Sequence, residues 1–194
     1  MDTLFQRTKV LFRYICKDFE ANNRQDLPPP IYLLYDFFFP NYRFRLLFWL
    51  RCCEWCRGVH WLFPLYFVCK FFWHRYELKS QCEIPFFTTG MGVKFAHAAG
   101  SVIINSSCKI GNFVILSPGN IIGISSIKRK NEVPIIGDNV YLAPNAKIFG
   151  RCRIGDNVII GSDTIIRDMD IPSNSYAVGN PVRIIRQIDS SSRY

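Results

Sequence analysis

The chain has 194 residues and a formal net charge of +9 at pH 7, and 49% of its residues are hydrophobic. This length suits one domain with an extension and excludes a second catalytic domain. The positive charge favours acidic partners in general, but no nucleic-acid-binding motif accompanies it, so we expect no nucleic-acid partner.

The N-terminal part of the chain predicts helices. Residues 1–7 lack a basic stretch followed by an apolar run, so we expect no signal peptide. Apolar side chains between Leu4 and Phe19 predict a first amphipathic helix. Pro28-Pro29-Pro30 should end any early helix and begin a short extended linker.

Residues 44–76 are crowded with aromatic side chains and interrupted by arginines and lysines. No stretch approaches the roughly 20 apolar residues that a membrane-spanning helix needs. Two interpretations remain open. The segment is either a helical cap that buries its aromatics against the rest of the protein or a neighbouring subunit, or a basic aromatic helix lying on the anionic inner face of the cytoplasmic membrane.

Eight cysteines occur without a regular framework, which predicts reduced thiols in a cytoplasmic protein. Cys52, Cys56 and His60 would share one helical face and could be drawn as a metal site. A fourth ligand is missing, so we expect apolar packing and no bound metal.

The second half of the chain carries a six-residue lattice of aliphatic residues, interrupted once after position 122. Its members are Ile104, Ile110, Leu116, Ile122, Ile136, Leu142, Ile148, Ile154, Ile160 and Ile166. Neither a helix nor a simple alternating strand has this period. Gly, Asn or Asp corners follow the aliphatic positions, and Ile-Gly-Asp-Asn-Val at residues 136–140 recurs at 154–158. Three sixes make one coil, so residues 84–171 predict a triangular β-solenoid of about five coils.

The lattice, together with Ile171-Pro172 and the closing segment Gly-Asn-Pro-Val-Arg-Ile-Ile-Arg at 179–186, resembles the left-handed β-helix hexapeptide-repeat acyltransferases. The likeness covers residues 83–186 and is closest to the serine acetyltransferase-like branch, especially members that acetylate capsular, exopolysaccharide or O-antigen sugars. It implies a mainly β protein, a left-handed parallel β-helix with an N-terminal α-helical extension. We expect the extension at 1–82, the catalytic β-helix at 83–171 and a closing segment at 172–194.

The resemblance also implies a homotrimer, because enzymes of this family place the cofactor between adjacent triangular subunits. Four apolar side chains lie between the lattice positions. We expect them on exposed faces of the solenoid, which a neighbouring subunit would bury. They are Val102, Phe113, Ile115 and Ile159.

His97 is the one histidine within the predicted coils. Ala98 takes the inward position six before Ile104, so strand alternation should turn His97 outward. Residues 96–105 resemble the His-x-x-Gly-x-Val-Ile block that holds the catalytic histidine of serine and sugar acetyltransferases. The resemblance makes His97 the general base, a task that suits an imidazole titrating near neutral pH. Glu83 stands where the serine enzymes carry an Asp that pairs with the histidine or the substrate, and an ordinary solvated glutamate is an equal alternative.

The lattice slips between Ile122 and Ile136, so residues 123–134 must leave the regular coil. In the family that it resembles, the matching segment borders acetyl-CoA, which is the implied acyl donor. Gly123, Pro144 and Ser162 match places where backbone groups meet the pantetheine arm.

Three basic residues could meet the cofactor phosphates, since several cationic donors suit phosphate oxygens. These are Lys128, Arg129 and Arg183. For any one of them, a solvated basic turn is the alternative.

Together with these observations, the resemblance implies an acetyl-CoA-dependent O-acetyltransferase that acts on a sugar of a bacterial surface polysaccharide, or on its nucleotide- or lipid-linked precursor. Direct transfer is expected, since no cysteine or serine sits in a recognisable nucleophile motif. Serine enzymes carry a second histidine in an Asp-Arg-His-Pro block, where this chain has Val133 before Pro134, which favours a sugar over serine. Serine O-acetyltransferase and a non-catalytic scaffold in a polysaccharide synthesis complex are the alternatives.

Overall fold

A computed structural model describes residues 2–23, 28, 31, 36, 40–97 and 100–186. Three helices with described bounds precede the strands: α1 (Asp2–Asn22), α2 (Tyr42–Cys56) and α3 (Phe63–Ser80), with a 3-10 turn at His60–Leu62 between α2 and α3. Helix α1 is the predicted first helix. Most of the predicted proline linker, residues 29 and 30 included, lies outside the described residues.

Short strands follow the helices, and a second 3-10 turn, Ile127–Arg129, lies between β6 and β7. The strands are β1 (Cys82–Glu83), β2 (Lys94–Phe95), β3 (Val102–Ile104), β4 (Lys109–Ile110), β5 (Ile115–Leu116), β6 (Asn120–Gly123), β7 (Ile135–Ile136), β8 (Tyr141–Leu142), β9 (Lys147–Phe149), β10 (Arg153–Ile154), β11 (Ile159–Ile160), β12 (Ile165–Arg167), β13 (Ser175–Val178) and β14 (Arg183–Arg186).

The strands form three sheets, one for each face of a triangular solenoid. In spatial order the first sheet is β1-β3-β6-β9-β12, the second is β4-β7-β10, and the third is β2-β5-β8-β11-β13-β14. Neighbouring strands are parallel except for the last pair, β13 and β14, which is antiparallel. Successive coils therefore lie on one another, as the six-residue lattice predicts.

The lattice residues stack in register and form the core. Ile104, Ile122, Ile148 and Ile166 pair in turn along the first sheet. Every one of the ten predicted inward positions is at most 5% exposed. The prediction of the lattice is thus confirmed, because each aliphatic side chain covers the one in the coil beside it.

The Ile-Gly-Asp-Asn-Val repeat has a structural cause at the corner between the second and third sheets. The Asp138 carboxylate accepts a hydrogen bond from the Asn112 N–H at 2.7 Å, and the Asp156 carboxylate accepts one from the Asp138 N–H at 2.8 Å. A Cβ on Gly137 would lie 2.3 Å from the Asp156 Oδ1, so that position requires glycine. Asn139 in the same repeat adopts a left-handed backbone with φ of 56°.

The helices cover the open edge of the first coil. The Asp18 carboxylate accepts hydrogen bonds from the Gly92 and Val93 N–H groups at 2.7 and 3.2 Å. Asn22, one turn later on α1, donates to the Val93 carbonyl at 2.7 Å and accepts from the Phe95 N–H at 3.2 Å. Arg51 of α2, buried beside Asp18, donates to the carbonyls of Thr89 and Gly90. These side chains form hydrogen bonds with backbone groups of the first coil that a preceding coil would otherwise pair.

Helices α2 and α3 divide the aromatic segment between burial and exposure. Leu46, Leu47 and Leu50 of α2 are fully buried and belong to the solenoid core. Helix α3 packs on α2 around Cys53, Cys56 and Cys69, while its opposite side carries exposed aromatics. The helical cap is therefore present, but it buries only part of the apolar surface of α3.

Two details of the sequence interpretation are wrong. Val102 is buried rather than outward, because it alternates in phase with inward Ile104 within β3. Helix α2 ends at Cys56, so His60 lies on the separate 3-10 turn and does not share a helical face with the cysteines. Position 98, predicted to face inward, lies outside the described residues, and Phe95 pairs with Leu116 at that level.

We expect Asn22→Ala to lower the free energy of unfolding by about 1–3 kcal/mol, because the substitution removes the hydrogen bonds of Asn22 to the Val93 carbonyl and from the Phe95 N–H. Urea denaturation at a fixed protein concentration, followed by circular dichroism, measures the change. Glu20→Ala on the exposed side of α1 is the control and should stay within about 0.5 kcal/mol of the parent. Equal midpoints for the two variants would contradict the capping role of Asn22.

Candidate active site

His97 lies at a corner of the first coil, between the third and first sheets, and its side chain is exposed. This corner is longer in sequence than those beneath it: Ile104 follows Phe95 by nine positions, whereas Ile122 follows Leu116 by six. A general base must reach a substrate outside the coil, and the exposed side chain of His97 is accessible from solvent.

The buried side chain of Arg43, on α2, holds this corner from the inner side. Its Nη1 donates to the His97 carbonyl, and its Nη2 donates to the Gly100 carbonyl. Its guanidinium carbon lies 5.0 Å from the centre of the Phe95 ring. Two donors from one planar group fix the direction of the loop backbone more strongly than a single hydrogen bond would.

The sequence interpretation did not find Arg43, although one signal was available. Arg43 lies three and four positions before the buried residues Leu46 and Leu47, so it occupies the core-facing stripe of α2. A charged side chain on such a stripe is rarely buried without partners. Its partners, however, lie 54 and 57 residues away in the sequence, which no local pattern shows.

Pro144 and Ser162 lie at the same corner of the triangle as His97, in later coils. The paired residues Leu142 and Ile160 each precede them by two positions. Pro144 and Ser162 are thus one coil apart, about 5 Å along the solenoid axis. The Pro144 carbonyl accepts from the Asp163 N–H at 3.0 Å. This corner forms one continuous edge from His97 towards the end of the solenoid.

Gly123 lies at the neighbouring corner, between the first and second sheets. It pairs with Phe149, and its carbonyl accepts from the Gly150 N–H at 2.9 Å. A Cβ on Gly123 would meet only the Asn105 Cβ, at 3.5 Å, so packing alone does not require glycine there. The irregular loop of residues 124–134 leaves the coil from this corner.

The loop exposes both of its predicted phosphate-binding residues. The hydroxyl of Ser126 accepts from the Lys128 N–H at 3.3 Å and begins the 3-10 turn. Arg129 forms ion pairs with Glu132 at 3.4 Å and with Asp168 at 3.6 Å. Such exposed pairs contribute little stability and can exchange partners. Lys128 is exposed. Its ammonium group forms no ion pair with Glu132 or Asp168, the two partners of Arg129.

The structure does not bring Arg183 into contact with Lys128 or Arg129, and it does not bring Glu83 into contact with His97. Arg183 is exposed on β14, opposite Val178 in the antiparallel pair that ends the third sheet. Glu83 is exposed on β1, and no hydrogen bond or ion pair joins it to His97.

The electrostatic neighbour of Glu83 is instead Glu77 on α3. Burial raises the pKa of the Glu77 carboxyl, a hydrogen bond of 3.1 Å with His74 lowers it, and the charge of Glu83 raises it further. Glu83 therefore lies in an acidic environment next to α3.

Burial changes the chemistry of several of the described cysteines. Burial raises the pKa of Cys52 to about 12, and the pKa values of Cys69 and Cys108 to about 11. The thiols stay protonated near neutral pH and attack a thioester poorly. In the part of the chain that the structure describes, no three His, Cys, Asp or Glu side chains are grouped to hold a metal.

Comparisons with known proteins agree with the repeat and the fold. Residues 134–168 match the family model described as Bacterial transferase hexapeptide (six repeats). A serine acetyltransferase of Staphylococcus aureus is 37% identical over 91 residues, which cover 47% of this chain and 42% of that protein. A serine acetyltransferase of Synechococcus elongatus is 30% identical over 132 residues, 66% of this chain and 53% of that protein. The chain thus spans about half the length of these curated relatives.

Solved structures give the same architecture over most of the chain. Soybean serine acetyltransferase without ligand superposes with a TM-score of 0.62 at 21% identity and covers 93% of this chain and 71% of that one. A serine acetyltransferase in complex with CoA gives a TM-score of 0.65 at 18% identity, over 95% of this chain and 73% of that one. By its fold the chain is a left-handed β-helix, and its repeat is similar to that of the bacterial hexapeptide transferases.

Proposed function

We propose that the chain is an acetyl-CoA-dependent O-acetyltransferase with His97 as the general base. The exposed histidine on the lengthened corner, with its backbone held by Arg43, is the observation that carries the proposal. The names of the relatives support acetyl transfer, and the solved complex with CoA supports acetyl-CoA as the donor.

The chemistry needs one proton acceptor and no acyl-enzyme. His97 removes the proton of the acceptor hydroxyl while the hydroxyl oxygen attacks the thioester carbonyl of acetyl-CoA. The tetrahedral intermediate then collapses, the carbon–sulfur bond breaks, and the imidazolium returns its proton to the departing thiolate. The protonated, buried thiols of Cys52 and Cys69 take no part in this route.

For the acceptor, the comparisons favour serine, the alternative interpretation of the sequence, over a sugar of a surface polysaccharide. One observation keeps the sugar as a second candidate. Val133, at the place of the second histidine, packs partly buried against the solenoid core and cannot exchange a proton with an amino-acid substrate. Glu83 remains a proposed auxiliary carboxylate for either acceptor.

The assembly and location are also proposals. A homotrimer is supported by apolar side chains on the solenoid surface, namely Phe113, which is exposed, and Ile115 and Ile159, which are half-buried. All eight cysteines are free thiols, which supports a reducing, cytoplasmic setting.

We expect the purified chain to release thiol from acetyl-CoA when L-serine is supplied. Ellman's reagent, applied with L-serine and separately with a panel of hexoses and hexosamines, measures the release. Release with sugars but not with serine would transfer the assignment to the sugar branch. No release with any acceptor would contradict the enzyme assignment and favour a scaffold.

His97→Ala should lower the rate with the productive acceptor by at least about 10². His60→Ala, which changes an exposed histidine on the helical cap, is its matched control.

We expect Arg43→Lys to lower the maximal rate by roughly tenfold or more and to leave the acetyl-CoA Michaelis constant within about twofold, because an ammonium cannot hold both loop carbonyls and His97 is misplaced. Arg51→Lys is the matched control, since Arg51 binds the carbonyls of Thr89 and Gly90 at a different corner of the same coil. Assays at temperatures well below the melting temperatures of both variants separate an effect on the position of His97 from a loss of stability. An equal rate loss in the two variants would assign Arg43 a structural role only.

We expect Lys128→Ala with Arg129→Ala to raise the acetyl-CoA Michaelis constant several-fold at low salt, with a nearly unchanged maximal rate, because phosphate contacts are equal in the ground and transition states. Lys128→Ala alone should give most of the effect, since Arg129 already pairs with Glu132 and Asp168. Lys9→Ala with Arg13→Ala, which removes two exposed cations from α1, is the control. A rise confined to the acceptor constant would reassign the loop to the acceptor.

A further inference from the structure

Helix α3 is apolar on two opposite sides, and only one of them is covered. Cys69 is buried, and the partly buried Tyr66 and Trp73 pack with it against α2. The other side carries large apolar side chains that are each between 55% and 68% exposed. These are Phe63, Phe67, Phe71 and Leu78 of α3 and Trp61 of the preceding turn. We call this set the aromatic face. A contiguous exposed patch of this kind marks an interaction surface.

The helical geometry places this surface in a single stripe. At about 100° per residue, Phe67, Phe71 and Leu78 lie within about 40° of one another around the axis of α3. Phe63 and Phe67 also touch edge to face, with ring centroids 4.8 Å apart. The stripe runs along a helix of 18 residues, which is about 27 Å long. A helix with such an uncovered stripe requires a partner that is itself long and flat.

Cations lie along both borders of the stripe. On the same wheel, Lys70 lies about 80° to one side of the stripe centre, and Arg75 and Lys79 lie about 60° and 100° to the other. All three are exposed. Glu77, the one acidic residue of α3, lies about 100° from the stripe centre on the side of Lys70, but its carboxylate is largely shielded from solvent and hydrogen-bonded to His74. The exposed charged side chains along the borders of the aromatic face are therefore mainly cationic.

We propose that the aromatic face lies on an anionic lipid surface. Aromatic side chains fit the boundary between headgroups and acyl chains, and flanking lysine and arginine side chains meet the anionic headgroups. None of the described helices is long and apolar enough to cross a membrane, so the helix lies in the interface plane. This surface is independent of the proposed acetyl transfer.

Charge decides between this partner and a second copy of the chain. A two-fold interface built from the aromatic face would place the same patch on both subunits. Lys70, Arg75 and Lys79 would then meet cations of the other copy, and the one carboxylate of α3, Glu77, is largely shielded and already hydrogen-bonded to His74. Like charges brought together in this way oppose association. An anionic membrane supplies the missing negative charge.

The test is sedimentation of the full chain with vesicles. We expect the chain to sediment with phosphatidylcholine vesicles that contain phosphatidylglycerol, and to stay in solution with vesicles of phosphatidylcholine alone. Phe67→Ser with Phe71→Ser should abolish sedimentation, because the exposed rings insert into the interface. Lys70→Glu with Arg75→Glu should weaken it at least about thirtyfold, the equivalent of about 1 kcal/mol for each cation.

Two matched controls carry the same chemical changes on the solenoid. Ile127→Ser alters an apolar side chain that is even more exposed, and Arg151→Glu with Arg153→Glu makes the same change of net charge. Both should sediment like the parent chain. Failure of the parent to sediment with anionic vesicles would overturn the proposal, as would an equal loss in the controls. A smaller mass of the Phe67→Ser, Phe71→Ser variant in light scattering, without vesicle binding by the parent, would assign the face to a second copy and also overturn it.

Discussion

The open edge of the first coil is the constraint on which the rest of the structure depends. A solenoid pairs each coil with the next, so the backbone groups of the outermost coil face no strand of their own chain. Buried backbone N–H and C=O groups without partners are costly. In this protein the partners come from side chains on helices: Asp18 and Asn22 from α1, and Arg43 and Arg51 from α2. The helical extension is thus part of the solenoid's folding unit.

The buried ion pair at this edge connects several elements at once. Arg51 and Asp18 are 2.9 Å apart and almost fully buried, and both also bind the backbone of the first coil. The cost of desolvating two charges is offset only when their remaining hydrogen bonds are satisfied. Here the coil itself supplies those bonds. Removal of one partner would leave the other charge buried, so α1, α2 and the first coil are expected to form and to unfold together.

The sequence predicted the repeating part of the fold well, because the six-residue period of the repeat is visible within short stretches of the chain. Each lattice residue, such as Ile148, meets the residue one coil earlier, and the same corner chemistry recurs at Asn139 and Asn157. The prediction failed where the chain departs from the period. The corner around His97 contains three additional residues, so counting in sixes from Ile104 does not lead to the inward Phe95. Contacts of the Arg43 type join residues more than fifty positions apart and leave only a charged residue on an apolar stripe as a clue.

The two ends of the third sheet determine how such molecules can meet. At one end α1 occupies the edge of β2 through Asp18 and Asn22, and at the other end β14 runs antiparallel to β13. A second molecule cannot place its first coil beneath β14, because its own helices already cover that coil. Stacked parallel strands are the basis of fibril growth, and an open solenoid of identical coils would be a template for it. The helical cap at one end and the reversed strand β14 at the other therefore oppose end-to-end polymerisation of the solenoid.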